Sequence, residues 1–185
     1  MKFITTVLLI IVVIFAYLFT TAHGKMLASS IVNVPYEFLN TKEKKEVDCL
    51  ADNIYYEAGY EPKEGRIAVA AVTINRVKSQ KFDSSICGVV TQKTQGVCQF
   101  TWLCDGSVQR KPNPAIYNEA RELALYVYFN HGVIEDPSKG ALYYHADYVN
   151  PRWKLDKTTT IGRHIFYKPK EEYTYARQTK YQTRF

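Results

Sequence analysis

Apolar positions along the chain fall first into helical blocks and then into an extended, aromatic pattern. Val47, Leu50, Ala51, Ile54, Tyr55 and Ala58 recur on one face of a helix. Asn40 followed by Glu43 forms a capping-box pattern that opens this helix, and Gly59 closes it. Beside the apolar stripe, Cys49, Asn53 and Glu57 follow one another at four-residue steps. Glu57 therefore stands where the buried face of the helix meets its open side. Pro62 begins a second helix, where its missing N–H is tolerated. Its stripe is Ile67, Ala70, Ala71, Ile74 and Val77, and Val69 and Val72 widen it. With small alanines allowing close approach, this reads as the central buried helix.

Phe82 to Pro114 reads as loop-rich, with Gly88, Gly96 and Gly106 as breakers. A third helix is expected over Ala115 to Asn130, with Ile116, Ala120, Leu123, Ala124 and Val127 inward and Gly132 as its stop. From Ala141 to Val149 the pattern is aromatic and extended, and Ile161 to Tyr167 reads as a final strand. Helices followed by short strands give a mainly helical α+β domain over residues 41–168. Residues 25–40, which include Pro35, read as a linker. Residues 169–185 form a basic, tyrosine-rich tail without a core pattern.

The uncharged run from Phe3 to Phe19 falls at the lower edge of the roughly 17–25 residues that span a bilayer, and exceeds the usual signal-peptide core. Ala22-His23-Gly24 offers small residues at the spacing a signal peptidase reads. Residues 1–24 are thus read as a signal peptide or a membrane anchor. Either places the body outside the cytoplasm: in the periplasm, the cell envelope or the medium, with inner-membrane anchoring as the second form. The four cysteines, Cys49, Cys87, Cys98 and Cys104, agree, because an even set in an exported chain is normally spent on disulfides. Four allow three pairings. Cys98 and Cys104 bracket a short turn, which favours a local bridge and leaves Cys49 with Cys87. Spacing for a zinc site is missing.

The chain of 185 residues carries 24 basic and 18 acidic side chains and a net charge of +6, which suits a polyanionic partner. No groove-reading helix or base-stacking motif points to nucleic acid, and export argues against it. A His-Glu-x-x-His zinc motif, a Gly-x-Ser-x-Gly elbow and a phosphate loop are all absent. A cysteine nucleophile with His145 or His164 would need an unpaired thiol.

Three segments hold most of the functional-looking residues: Tyr55-Tyr56-Glu57, Cys98 to Trp102 with Asp105-Gly106, and Tyr143 to Trp153 extended by Gly162-Arg163-His164. Aromatic rings interleaved with amides and carboxylates suit a carbohydrate groove. The plain alternative is that Trp102, Trp153 and the tyrosines are packing residues. Glycosidic cleavage needs an acid at the leaving oxygen and often a second carboxylate. Glu57, beside aromatic rings that strip its hydration, is the best acid. Glu61 and Glu64 stand at a helix start and read as structural. Asp105 and Asp147 could assist, although each sits in a turn-like setting where Asp is common.

On these residues the chain resembles the SleB-type cell wall hydrolases, which include spore-cortex-lytic enzymes and relatives in bacteria and phages, where an endolysin role is one form. The resemblance is carried by Cys49-Leu50-Ala51, Ile54 to Ala58, Ala68 to Val77, Cys87 to Val90, Cys98 to Trp102 with Asp105-Gly106, Tyr144 to Val149 and Ile161 to Tyr167. It implies a lysozyme-like, lytic-transglycosylase-like fold that cleaves peptidoglycan glycan strands without a cofactor or metal, with Glu57 as the catalytic acid. Gln99, Phe100, Trp102, Tyr143, Tyr144, His145 and Trp153 are expected to line the groove. Lytic transglycosylation needs one carboxylate; hydrolysis as a muramidase is the alternative, and a wall-binding module without activity is the reading of a different class. One departure stands out. Members commonly read Glu-Ala-Arg-Gly-Glu, and this chain reads Glu57-Ala58-Gly59-Tyr60-Glu61.

Overall fold

The computed structural model describes residues 10–14 and 30–170, which fall into two units, residues 1–32 and 33–185. In the first unit, residues 10–14 are helical. The rest of the Phe3 to Phe19 run, the Ala22-His23-Gly24 site and the tail from residue 171 lie outside the described residues. Among the described residues no helix is long and apolar enough to cross a membrane.

The second unit is built around two long helices, α1 (Thr41–Ala58) and α2 (Lys63–Lys78), with a six-residue helix α3 (Ile86–Thr91) and a third long helix α4 (Pro114–Asn130) packed against them. The capping box is present: the Asn40 side chain accepts from the Glu43 N–H at 3.0 Å, and the Glu43 carboxylate accepts from the Asn40 N–H at 3.0 Å. Ahead of it, Leu39 is buried against the core, which tethers the segment read as a linker. The α1 stripe packs as its spacing implies, with Val47, Leu50, Ala51 and Ile54 fully buried. Each large apolar side chain buried in this way contributes about 1.5–3 kcal/mol. In α2 the run from Ala68 to Ile74 is buried all round, as expected of a central helix.

Gly59 ends α1 in right-handed backbone rather than in the left-handed stop the sequence suggests. Its need is for space: a Cβ there would lie 2.6 Å from the Tyr55 carbonyl oxygen and 3.2 Å from the Ile116 side chain of α4. Pro62 takes the cap position of α2 rather than its first turn.

The region read as loop from Phe82 to Pro114 holds α3, a two-residue hairpin of β1 (Lys93–Thr94) with β2 (Val97–Cys98), and short turns at Thr101–Leu103 and Ser107–Gln109. Helix α3 starts where Ser85 accepts from the Gly88 N–H at 3.0 Å, and Glu46 of α1 accepts from the Ile86 N–H at 2.6 Å. Disulfides join Cys49 to Cys87 and Cys98 to Cys104. The first ties α1 to α3; the second closes the loop that carries Trp102. At the head of α4, Asn113 accepts from the Ala115 N–H at 3.0 Å, with Pro114 in the first turn.

The C-terminal sheet is antiparallel in the order β3-β5-β4: β3 (Tyr143–Ala146), β5 (His164–Lys168) and β4 (Asp156–Ile161). Ile161 to Tyr167 is therefore not one strand. Ile161 ends β4, Gly162 turns with φ of +54°, and β5 begins at His164. Two side chains of α2 hold the chain that enters this sheet. Asn75 donates to Asp136 at 2.9 Å and to the Ala141 carbonyl at 3.2 Å, and Arg76 Nε donates to the Leu142 carbonyl at 2.8 Å. These bonds place β3, and with it Tyr144, opposite the end of α1.

Candidate active site

A groove of about 900 Å³ opens between the C-terminal end of α1, the loop closed by Cys98–Cys104 and the edge strand β3. Glu57, the penultimate residue of α1, lies in it, partly buried. The phenol of Tyr144 donates to Glu57 Oε2 at 3.0 Å. Burial pushes the Glu57 carboxyl above the usual carboxylate range; the Tyr144 hydrogen bond and the charge of Arg76 oppose the rise, and the nearby charge of Asp105 adds to it. Tyr144 is held well above the ordinary tyrosine value by burial and by the Glu57 charge beside it, so it stays a donor.

Arg76 lies beneath this pair. The residue is 3% exposed, and its guanidinium packs over the rings of Phe82 and Phe100 at 5.1 and 5.2 Å. Burial lowers its pKa, and the Tyr144 and Tyr143 phenols and the Glu57 carboxyl beside it oppose the fall. One wall of the groove is aromatic: the Trp102 ring stacks on Tyr56 with centroids 4.6 Å apart and planes at 16°, and Tyr55 meets Tyr56 edge-on. Tyr55 is pinned in turn, because its oxygen accepts from the Asn113 N–H at 2.9 Å.

The candidate residues divide. Glu57, Trp102 and Tyr144 line the groove, and Asp105 joins them at the Trp102 wall; His145 borders it, its ring stacked on Tyr167 and its Nε2 3.0 Å from the Tyr167 hydroxyl on the other face of β3. Phe100 is 3% exposed and belongs to the core under Arg76. Tyr143 lies on the other face of β3 from Tyr144 and packs against Phe82 and Trp153. Trp153 covers that outer face, edge-on to His145 and Tyr167. Gln99 is exposed outside the groove, its N–H donating to the Gln92 carbonyl at 2.8 Å. Asp147 is paired with Arg163 at 3.2 Å and does not line the groove.

Several lining residues carry no strong sequence signal. Arg110 is held by the Ser107 hydroxyl at 2.7 Å, and Ser107 by Asp105, so an Asp-x-Ser turn aims a cation into the groove. Lys111, Tyr60 and Tyr148 also line it. His164 does so from β5; burial lowers its pKa and its Nδ1 has no hydrogen-bond partner. Among the described residues no group of His, Cys, Asp and Glu side chains is placed to hold a metal.

A long amphipathic helix, packed on a central buried one, that delivers a desolvated glutamate to the mouth of a groove, with a small antiparallel sheet closing the other side, defines a lysozyme-like domain. The chain belongs to the cell wall hydrolase family, whose model matches residues 60–167. It is 34% identical over 144 residues to the spore cortex-lytic enzyme of Oceanobacillus iheyensis, covering 74% of this chain and 45% of that protein. To the spore cortex-lytic enzyme of Bacillus subtilis it is 33% identical over 154 residues, covering 80% of this chain and 44% of that one. The chain thus spans less than half the length of these relatives. Among solved structures it is similar to the catalytic domain of the germination-specific lytic transglycosylase SleB from Bacillus anthracis, at 30% identity and a TM-score of 0.54, covering 73% of this chain and 100% of that one. The catalytic domain of Bacillus cereus SleB matches at 29% identity with the same TM-score of 0.54, covering 74% of this chain and 100% of that domain. The fold expected from the resemblance is the fold found.

Proposed function

We propose that this protein cleaves peptidoglycan glycan strands between N-acetylmuramic acid and N-acetylglucosamine by lytic transglycosylation, with Glu57 as acid and then base. The observation that carries the reading is a carboxyl group whose pKa is raised by burial, facing an aromatic-walled groove, with one oxygen fixed by Tyr144. That bond occupies Oε2 and leaves Oε1 for the substrate. Glu57 gives its proton to the glycosidic oxygen as the bond to muramyl C1 breaks. The resulting carboxylate takes the proton of the muramyl C6 hydroxyl, whose oxygen closes on C1 to form the 1,6-anhydro ring. The proton balance closes on Glu57 and no water enters. The relatives named as spore cortex-lytic enzymes and as a lytic transglycosylase support this substrate and this route.

Hydrolysis is the second reading, and Asp105 is the observation in its favour. It lines the same groove and is held ionised by hydrogen bonds from Ser107, so it could steady the cationic transition state while water attacks. Mass analysis of digested sacculi decides. Anhydro-muramyl ends support transglycosylation, reducing ends support a muramidase, and no released fragment would leave a wall-binding module without activity.

The proposal includes export. Two disulfides suit an oxidising compartment, and residues 1–24 would supply the signal or the membrane anchor, which N-terminal sequencing of the mature protein reads directly. Residues 41–168 would then be the catalytic domain.

A further inference from the structure

Two exposed aromatic rings stand at the groove in places that the chemistry at Glu57 does not use. Tyr60 is 86% exposed and Tyr148 is 77% exposed, and both line the groove. A ring left in water forgoes the burial that gives aromatic side chains most of their value.

Their backbones are fixed. Around Tyr60, the Gly59 N–H donates to the Tyr55 carbonyl at 3.1 Å, the Glu61 N–H donates to the Ala58 carbonyl at 2.9 Å, and Pro62 follows. Around Tyr148, the Asp147 N–H donates to the Arg163 carbonyl at 2.8 Å and the Val149 N–H to the Ala146 carbonyl at 2.9 Å. The two turns share one end of the groove. Glu61, next to Tyr60, accepts from the Arg163 N–H at 3.0 Å, and the Arg163 guanidinium lies 5.4 Å from the centre of the Tyr148 ring.

The cation at this end is paired, and the Glu61 carboxylate keeps its charge. Arg163 is paired with Asp147, and Glu61 is bonded to backbone. The free cations of the groove, Arg110 and Lys111, belong to the segment after the Trp102 loop. An end that offers two rings and a carboxylate but no unpaired cation suits a neutral ligand with apolar C–H faces and hydroxyl edges, rather than an acidic peptide stem.

We propose that Tyr60 and Tyr148 form a platform for a pyranose ring of the glycan strand lying beyond the two sugars joined at the cleaved bond. The platform makes the protein selective for longer strands. This rests on the glycan-strand reading above. Tyr60 falls within the stretch where the chain departs from the family's usual pattern, so the platform is a property of this chain.

The test compares kcat/KM on peptide-free strands of four and of two disaccharide units, using the full chain. In the wild type the longer strand is preferred. In Tyr60→Ala and in Tyr148→Ala the ratio of long to short falls by about tenfold, equivalent to about 1.4 kcal/mol, mainly through KM. Tyr60→Trp restores it. A ratio unchanged in both alanine variants, or lost in Tyr60→Trp as much as in Tyr60→Ala, overturns the platform. If the wild type cleaves neither strand, the cleavage reading fails by itself. Calorimetric binding of the same strands then decides the platform: a long-strand preference lost in the alanine variants supports it, and equal binding overturns it.

Discussion

Tyr144→Phe removes a single oxygen and leaves the ring, whose packing edge-on to His164 at 5.2 Å and against Phe166 at 5.7 Å does not depend on it. The oxygen lost is the donor to Glu57 Oε2 at 3.0 Å. A hydrogen bond to a charged group contributes about 1.5–3 kcal/mol, which changes the ratio of protonated to ionised Glu57 by about ten- to a hundredfold at fixed pH. The sign follows from which form the donor favours. Tyr144 stabilises the carboxylate, so its removal adds to the rise that burial already imposes. Glu57 must be protonated to start the reaction, so activity falls where it ionises. In the variant this alkaline limb of the kcat/KM profile moves up by about one to two pH units, while the maximal rate drops as the carboxyl loses its fixed orientation. Stability moves with it. A carboxyl whose native pKa lies above its unfolded value contributes stability at pH below the unfolded value and loses it as pH rises through the native one. The variant should keep that contribution to higher pH and sit lower on the plateau beyond. Turbidity assays on sacculi across pH, with carboxyl carbon NMR of Glu57, measure both. A limb that stays in place or moves down refutes the reasoning and leaves Arg76 as the group that sets the charge on Glu57.

Two further outcomes are expected. Glu57→Gln abolishes cleavage of sacculi but melts at or above the wild-type temperature at neutral pH, since the amide escapes the cost of a buried charge; the gain should fade by pH 4, and an active variant would sink the assignment. Replacing Cys98 and Cys104 together with serine costs about 2 kcal/mol by loop closure, and the Cys49 and Cys87 pair costs about 4 kcal/mol because its loop is longer. The smaller loss should nevertheless raise KM more, because that loop carries Trp102; equal effects on KM would refute its part in the groove.

The long helices were legible because each combines a stripe with punctuation: Asn40 and Glu43 at the head of α1, and Pro114 at the head of α4. Helix α3 was not, since six residues hold too few turns to show a period and part of its start is capped by Glu46 from elsewhere in the chain. Strand β4 escaped because Asp156 to Thr160 are all polar or charged, and its pairing with β5 supplies what the pattern lacks. Gly162 looked like an interruption in a strand, whereas its φ of +54° makes it the turn of a hairpin. In the site, Glu57 was visible from its place on the rim of the stripe. Tyr143 and Tyr144 were grouped together, although a strand sends neighbours to opposite faces, and only Tyr144 reaches the groove. Arg110 is aimed by the local Asp105-x-Ser107 turn, but the groove that it and Lys111 face is assembled from segments distant in sequence, so no local pattern marked them as lining residues. The Cys98–Cys104 bridge was readable because its two ends flank a short turn.

Glu61 carries a consequence for how loss-of-function data should be read. Its carboxylate accepts the Arg163 N–H, and any side chain at Gly162 would collide with it. It therefore rivets the helix that ends near Glu57 to the hairpin that follows Tyr144. A screen scored by activity alone would return two essential glutamates four positions apart and invite a two-carboxylate mechanism. Melting curves separate them: loss of one should silence a domain that stays intact, and loss of the other should loosen the frame in which the first is held.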